Sequence, residues 1–374
     1  MDFNILLLII SPYTAFVPII YFFIKNINNK EILIMDRNNY CLYLIFLSSV
    51  CSSVVNKSIV SFVLSFVIIL LIIVFNGISK KNLLLDRLFY KVWKYSLIPL
   101  GIGFFEKILS YFINMNWISN IFWSPTYIIS KNHYRIYSTF GNPNVAGAWF
   151  GMMVLVSIYL YEKQNNRDKI KYFISTILFL ISLGFSGSKG AIIGLIVGLV
   201  FYKFTRGRWK NFNLIGTVLV GIAMLVLLSP EVNHKFQTRI YLWNECIQMF
   251  LQKPMLGWGI TGIINKIGDI HAHNIWISMA TMFGIVGLSA LIIMQVKAIR
   301  ALYNIYKCNR EETAIICALY MFILAHGIVD FTIMVPQIAI SFFSITAIIN
   351  NRSINYKENL GKYSIKKYKG KRAF

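Results

Sequence analysis

The stretch Asp269–Leu288, DIHAHNIWISMATMFGIVGL, decides the fold class. His271 and His273 end a long polar segment, Asn274 follows, and an unbroken apolar run begins. Asn is a favoured helix N-cap because its side-chain oxygen accepts from the first free backbone amides. About 20 apolar residues in helical conformation match a bilayer core of roughly 30 Å. Gly284 and Gly287 open this helix for close packing.

Working outward, such runs recur at 5–24, 40–56, 58–77, 95–113, 143–161, 172–185, 191–204, 212–229, 274–295, 312–330 and 332–349. Of the 374 residues 57% are hydrophobic and only 14% charged, with a mean hydropathy of +0.62. Soluble domains carry about a quarter charged residues. A membrane β-barrel would show short alternating segments instead. The chain therefore reads as all-α: one integral-membrane domain over 1–374, a polytopic bundle of about eleven helices (10–12). A long loop, 230–273, precedes the ninth helix, and a basic tail, 350–374, closes the chain.

The formal charge of +23 invites a nucleic-acid reading, but its distribution argues for topology. Of 37 Lys and Arg, 28 fall in the loops after the first, third, fifth, seventh and ninth helices and in the tail. Eight fall in the opposite loops and Lys107 lies within a helix. Basic loops stay in the cytoplasm. The N-terminus is then outside, the C-terminus cytoplasmic, and 114–142, 186–190 and 230–273 share the outer face. Cys41, Cys51, Cys246, Cys308 and Cys317 show no metal-binding or redox spacing.

Five outer features carry candidate chemistry. Neutral His is a general base near neutral pH, so His273 beside His271 and Asn274 is the candidate base; an interfacial His pair with solvated rings fits as well. Lys189, in Ser186-Gly187-Ser188-Lys189-Gly190, either binds an anion at a helix N-terminus, with Ser188 beside it, or snorkels to the interface. Phe236, Ile240, Trp243, Ile247 and Phe250 recur at helical spacing, the pattern of an amphipathic helix on the outer membrane surface. Arg239 sits beside that stripe, in reach of a lipid phosphate; a packing lid with Arg239 in solvent is the other reading. In TFGNPN (139–144), Asn142 and Asn144 either bind sugar or phosphate oxygens or cap the helix begun by Pro143. Asp330, at the outer end of the tenth helix, either orients a histidine or forms a structural pair, for instance with Lys189. No two carboxylates lie close in sequence, which argues against a two-carboxylate glycosidase and an octahedral metal site.

These motifs together resemble the O-antigen ligase and polymerase superfamily of bacterial membrane glycosyltransferases. His273-Asn274, nine residues, then Gly284-x-x-Gly287 is similar to its His-Asn signature. TFGNPNVAG, SGSKGAIIG, Arg239 with Trp243, and Pro254-Met-Leu-Gly257-Trp-Gly259 resemble four further stretches, in the right order over about residues 138–290. The resemblance implies transfer of a glycan from a polyprenyl-diphosphate carrier on the outer face of the plasma membrane, with no nucleotide sugar, metal or other cofactor. His273 falls on the catalytic His that activates the acceptor hydroxyl. Lys189 and Arg239 fall on the basic residues that hold the diphosphate. The family usually has Arg where this chain has Lys189; Lys keeps the charge but lacks the bidentate fork.

The implied partners are the lipid-linked glycan donor, a glycan acceptor, membrane lipids, and a chain-length regulator or flippase. Two activities fit: a polymerase that adds the chain to the next lipid-linked repeat, and a ligase that moves the finished chain to a terminal acceptor such as a lipid A–core sugar. A transporter of lipid-linked oligosaccharide would explain the helices but not the His-Asn motif or the long outer loop.

Overall fold

The computed structural model describes residues 2–25, 35, 39–81, 83–121, 134–164, 166–207 and 230–370. Every regular element among them is helical. They are α1 (Asp2–Ile10), α2 (Val17–Lys25), α3 (Tyr40–Val55), α4 (Ile59–Ser79), α5 (Leu85–Leu109), α6 (Asn116–Ile121), α7 (Pro143–Lys163), α8 (Asn166–Ser186) and α9 (Lys189–Arg206). After an undescribed interval come α10 (Pro230–Gln252), α11 (Gly262–Ile267), α12 (Ile275–Tyr306), α13 (Arg310–His326) and α14 (Pro336–Gly370), with a 3-10 turn at Thr332–Met334. The helix expected at 212–229 lies outside the described residues.

By length and composition, Ile59–Ser79, Pro143–Lys163, Asp168–Ser186 and Ile275–Tyr306 are fit to cross a bilayer, and Tyr40–Val55 is a shorter apolar helix. The helical membrane bundle read from the sequence is what the chain forms. Hydrogen bonds from Arg135 to Ser186, from Arg239 to Val329 and between His273 and Asp330 gather the chemistry-bearing segments at one end of the bundle. The other gathers ion pairs: Lys163–Asp86 at 2.8 Å, Lys203–Glu162 at 3.1 Å, Arg206–Glu311 at 3.1 Å and Arg352–Glu312 at 3.5 Å. At that end Asn351 Nδ2 also donates to the Ser79 carbonyl at 2.6 Å. No proline interrupts α14, and it runs on through much of the region expected as a tail.

The single helix expected over 5–24 is two. Pro12 has no amide to donate and biases Ser11 away from helix, and the chain turns over 11–16. Ser11 Oγ accepts from the Tyr13 amide at 3.2 Å, and Thr14 Oγ1 donates to the Leu7 carbonyl at 2.7 Å. Nine residues rise only about 13 Å, so neither α1 nor α2 spans. Ile9 O accepts from Thr139 Oγ1, and Tyr13 OH donates to Ile121 O, which puts the break at the chemistry-bearing end. Asn4 and Ile5 instead line an apolar cavity of about 500 Å³ with Ile73, Trp149 and Ile345, away from the polar cluster described below.

Where apolar side chains gain nothing by leaving lipid, small residues let helices touch. A Cβ on Gly194 or Gly198 of α9 would sit 3.0 Å from the Phe322 carbonyl and 3.1 Å from the Ala318 carbonyl of α13. Buried polar groups pair between helices: Trp149 Nε1 donates to Ser96 Oγ at 3.0 Å and Trp93 Nε1 to Ser175 Oγ at 2.9 Å.

Helix α12 is not continuous. Gly284 has φ 66° and ψ −164°, a conformation open in practice to glycine alone. The 254–259 segment inserts at this break: Ile285 N donates to Pro254 O (2.7 Å), Trp258 N to Thr281 O (2.9 Å) and Gly259 N to Met282 O (2.8 Å). A Cβ on Gly257 would fall 2.6 Å from the Thr281 carbonyl oxygen, and one on Gly284 would overlap the Met255 carbonyl. The two glycine motifs, far apart in sequence, are one joint. It locks the end of α10 to the helix that begins after His273.

Candidate active site

The short segment after α13, residues 327–332, is where His273, Arg239 and the start of α9 meet. His273 Nδ1 lies 3.1 Å from Asp330 Oδ1, which also accepts the Phe331 amide at 2.8 Å. Asp330 is 4% exposed. Burial pushes its carboxyl upward, but the hydrogen bond from His273 and the neighbouring His326, His271 and His273 outweigh burial and hold it well below the usual range. It is therefore ionised. An anionic oxygen at Nδ1 selects the Nδ1–H tautomer and leaves the Nε2 lone pair as the basic atom.

Local geometry fixes the imidazole from the other side. His273 has φ 50°, a left-handed conformation uncommon for a residue with a Cβ. His273 N donates to His271 Nδ1 at 3.1 Å, and the two rings meet edge to face at 4.5 Å. Burial pushes His271 down to about 4, so it is neutral and accepts that amide. Asn274 caps α12, its Oδ1 accepting from Trp276 N at 2.9 Å and Ile277 N at 3.1 Å, while its Nδ2 donates to Ile328 O at 2.9 Å. One side chain both starts the helix and ties it to the Asp330 segment. Of the two readings open for Asp330, orientation of a histidine is the one its geometry matches.

Arg239 arrives from α10. Its Nη1 donates to the Val329 carbonyl, one residue before Asp330. Trp243, one turn on, donates Nε1 to Ala272 O at 2.8 Å, between the two histidines. Helix α10 buries Leu242, Cys246 and Met249 and exposes Ile240, Ile247 and Leu251. The apolar stripe expected to face the membrane is therefore divided. Trp243 turns into the protein, and the Ile240–Ile247 side stays outward; the side chain of Phe236 lies outside the described ones.

Lys189 opens α9 behind a tight turn. Gly187 has φ 60°, and Ser188 caps the helix, its Oγ accepting from Ala191 N at 3.4 Å. A Cβ on the next residue, Gly190, would lie 2.7 Å from Val329 Cγ2 and 3.1 Å from His326 Cδ2. The start of α9, Arg239 and His273 thus converge through Val329 and Asp330. Asn142 caps α7 by accepting Asn144 N at 2.8 Å, and Asn144 Oδ1 accepts from Arg135 Nη2 at 2.6 Å. For these two asparagines the capping and packing role is the one with geometry behind it.

Two nearby residues were not legible as site residues in the sequence. His326 is 1% exposed inside an apolar helix; its Nδ1 meets Thr332 Oγ1 at 3.0 Å and its Nε2 finds no partner among the described residues. Arg135 donates Nε to the Ser186 carbonyl at 2.6 Å; its only sequence signal is a cation in an outer segment otherwise poor in them. His271, His273 and Asp330 also bring one potential metal-ligating atom each within 4.8 Å of one another. The same atoms make the His273–Asp330 pair, and the positive charge of Arg239 bears on His271, so a cation there would compete with the pair and meet repulsion.

Residues 174–292 match the family model described as O-antigen ligase. The matched span runs from α8 into α12 and includes Lys189, Arg239 and His273 but not Asn144 or Asp330. A comparison with curated proteins finds no match to the chain.

Proposed function

We propose that this chain, of which residues 174–292 match the O-antigen ligase family model, is a surface-polysaccharide polymerase. It moves a glycan from a polyprenyl-diphosphate carrier to a sugar hydroxyl of the next lipid-linked repeat unit, on the outer face of a bacterial plasma membrane. The family match over residues 174–292 and the apolar helices support an O-antigen ligase- or polymerase-type function, lipid-linked glycan substrates and a membrane setting. The choice of polymerase, the donor chemistry and the orientation, with the C-terminus in the cytoplasm, are our reading.

The observation that carries it is the convergence on one short segment of a carboxylate-paired histidine, a guanidinium and the lysine-bearing start of α9. In the proposed step His273 Nε2 accepts the proton of the acceptor hydroxyl. The acceptor oxygen attacks the anomeric carbon, the bond from that carbon to the diphosphate oxygen breaks, and polyprenyl diphosphate departs. Configuration inverts. The leaving group is already anionic and needs no acid on its oxygen. It needs cations, and Lys189 and Arg239 serve that role. Asp330 stabilises the imidazolium as it forms. Trp243, His271 and Asn274 hold the His273 loop, Ser188 caps the helix that Lys189 opens, and Asn142 and Asn144 hold the start of α7 and Arg135.

The deletion phenotype tests the assignment. Loss of a polymerase leaves single repeat units at the cell surface. Long chains stranded on the polyprenyl carrier would instead make it a ligase, and lipid-linked units trapped on the inner leaflet a transporter.

A further inference from the structure

We infer that Arg135 is a positioning residue for the phosphate-facing turn, holding Ser186–Lys189 in place and neutralising the end of α8 beside it. The inference rests on the reading of Lys189 as a diphosphate ligand.

Helix α8 ends at Ser186 and α9 begins at Lys189. A helix C-terminus carries about half a negative charge and an N-terminus about half a positive one. Here the two lie three residues apart, so an anion attracted to the start of α9 also meets the repelling end of α8. The guanidinium of Arg135 answers this directly. Its Nε donates to Ser186 O, the last carbonyl of α8, at 2.6 Å. Its Nη2 donates to Asn144 Oδ1 in the first turn of α7 at 2.6 Å. Its stem covers Gly187, where a Cβ would sit 3.1 Å from Nε and 3.4 Å from Cδ. One planar fork thus ties the α8 side of the turn to the first turn of α7, which a lysine ammonium cannot do in the same geometry.

The segment that carries Arg135 is itself clamped. Glu106, 4% exposed, accepts from Tyr137 N at 2.8 Å through Oε1 and from Ser138 N at 2.6 Å through Oε2. Tyr134 OH donates to Glu106 Oε1 at 2.5 Å, and Lys107 Nζ holds the Tyr134 carbonyl at 2.9 Å. Ile136 N donates to Phe185 O at 3.2 Å, so the backbone on the far side of Arg135 is tied to the same helix end. A buried carboxylate that takes three donors from one short segment is a costly device, and what it delivers is a guanidinium at the Ser186–Lys189 turn.

The test uses the full chain in lipid nanodiscs, with two readouts: direct binding of polyprenyl diphosphate, and transfer from a polyprenyl-diphosphate glycan. Arg135→Gln is expected to weaken polyprenyl diphosphate binding and raise the donor KM by roughly tenfold, the effect of one charge-assisted hydrogen bond. The kcat–pH profile should keep its shape, because Arg135 does not touch the base. Arg135→Lys, which keeps charge without the fork, should fall between. In a Lys189→Ala background the binding loss from Arg135→Gln should shrink, because the two act on one site. Unchanged binding in Arg135→Gln, or losses that add fully with Lys189→Ala, would overturn the inference. Should Arg135→Gln fail to fold, Arg135→Lys decides it, and a wild-type Kd overturns it. If wild type binds polyprenyl diphosphate and Arg135→Gln does not, yet no transfer occurs, the positioning role stands and the proposed reaction falls.

Discussion

Replacing Asp330 by Asn removes the charge beside His273 and keeps the shape. Asp330 Oδ1 accepts from both His273 Nδ1 and the Phe331 amide. In the variant an amide oxygen occupies that place, since turning the NH2 inward would set it against the Phe331 N–H. The Nδ1–H tautomer therefore survives, and the loss is the difference between a charged and a neutral hydrogen bond, about 1–1.5 kcal/mol. That corresponds to about a five- to twelvefold fall in kcat. Asp330→Leu removes both bonds, frees the ring and strands a buried N–H, for a loss of about a hundredfold or more. The assay is steady-state transfer by purified protein from a lipid-linked glycan donor, with donor KM measured alongside. KM should hold steady, because Asp330 touches the base and not the phosphates. If Asn proved as damaging as Leu, or if both matched wild type, this account of the His273–Asp330 pair would be wrong.

Lys189→Ala and Arg239→Ala are each expected to cut transfer by about 10²–10³, while Lys189→Arg stays active; wild-type rates in both alanine variants would remove the cationic clamp. Gly284→Ala should destabilise by at least about 1–3 kcal/mol from backbone strain alone, because the new Cβ also overlaps the Met255 carbonyl; a wild-type melting temperature would count against the α10–α12 joint. His271 is depressed in the folded protein to about 4 from an ordinary value of about 6.5. The unfolded chain takes up that proton first, so stability should fall as pH drops from about 6.5 to about 4 and level off below. His271→Gln should flatten that slope in detergent melts, and an unaltered slope would assign it to other groups.

The helices were legible because the bilayer imposes one rule on every spanning segment. Asn274 caps α12, as its type and place suggest. The first helix was misread because hydropathy is insensitive to Pro12, which costs a backbone hydrogen bond without lowering the apolar average much. His273 and Asp330 were both visible as candidates, but their pairing joins residues 57 apart in sequence, and no local pattern encodes it. The glycines at 257 and 284 read as separate helix breakers or packing sites, whereas each exists to admit the other's backbone. Arg135 stayed hidden because its partners are a helix-end carbonyl and a capping asparagine, roles that only the fold assigns. On α10, helical spacing marked one apolar stripe but could not tell its exposed members, Ile240 and Ile247, from Trp243, which turns inward to the Ala272 carbonyl.

The central claim is that one neutral imidazole deprotonates the acceptor while cations from separate segments hold the carrier's diphosphate. Its most direct test is purified His273→Ala in nanodiscs with a labelled polyprenyl-diphosphate glycan and acceptor, binding and transfer read on the same sample. The account predicts donor binding close to wild type and no detectable chain extension. Extension at a wild-type rate, with the fold intact, would contradict it.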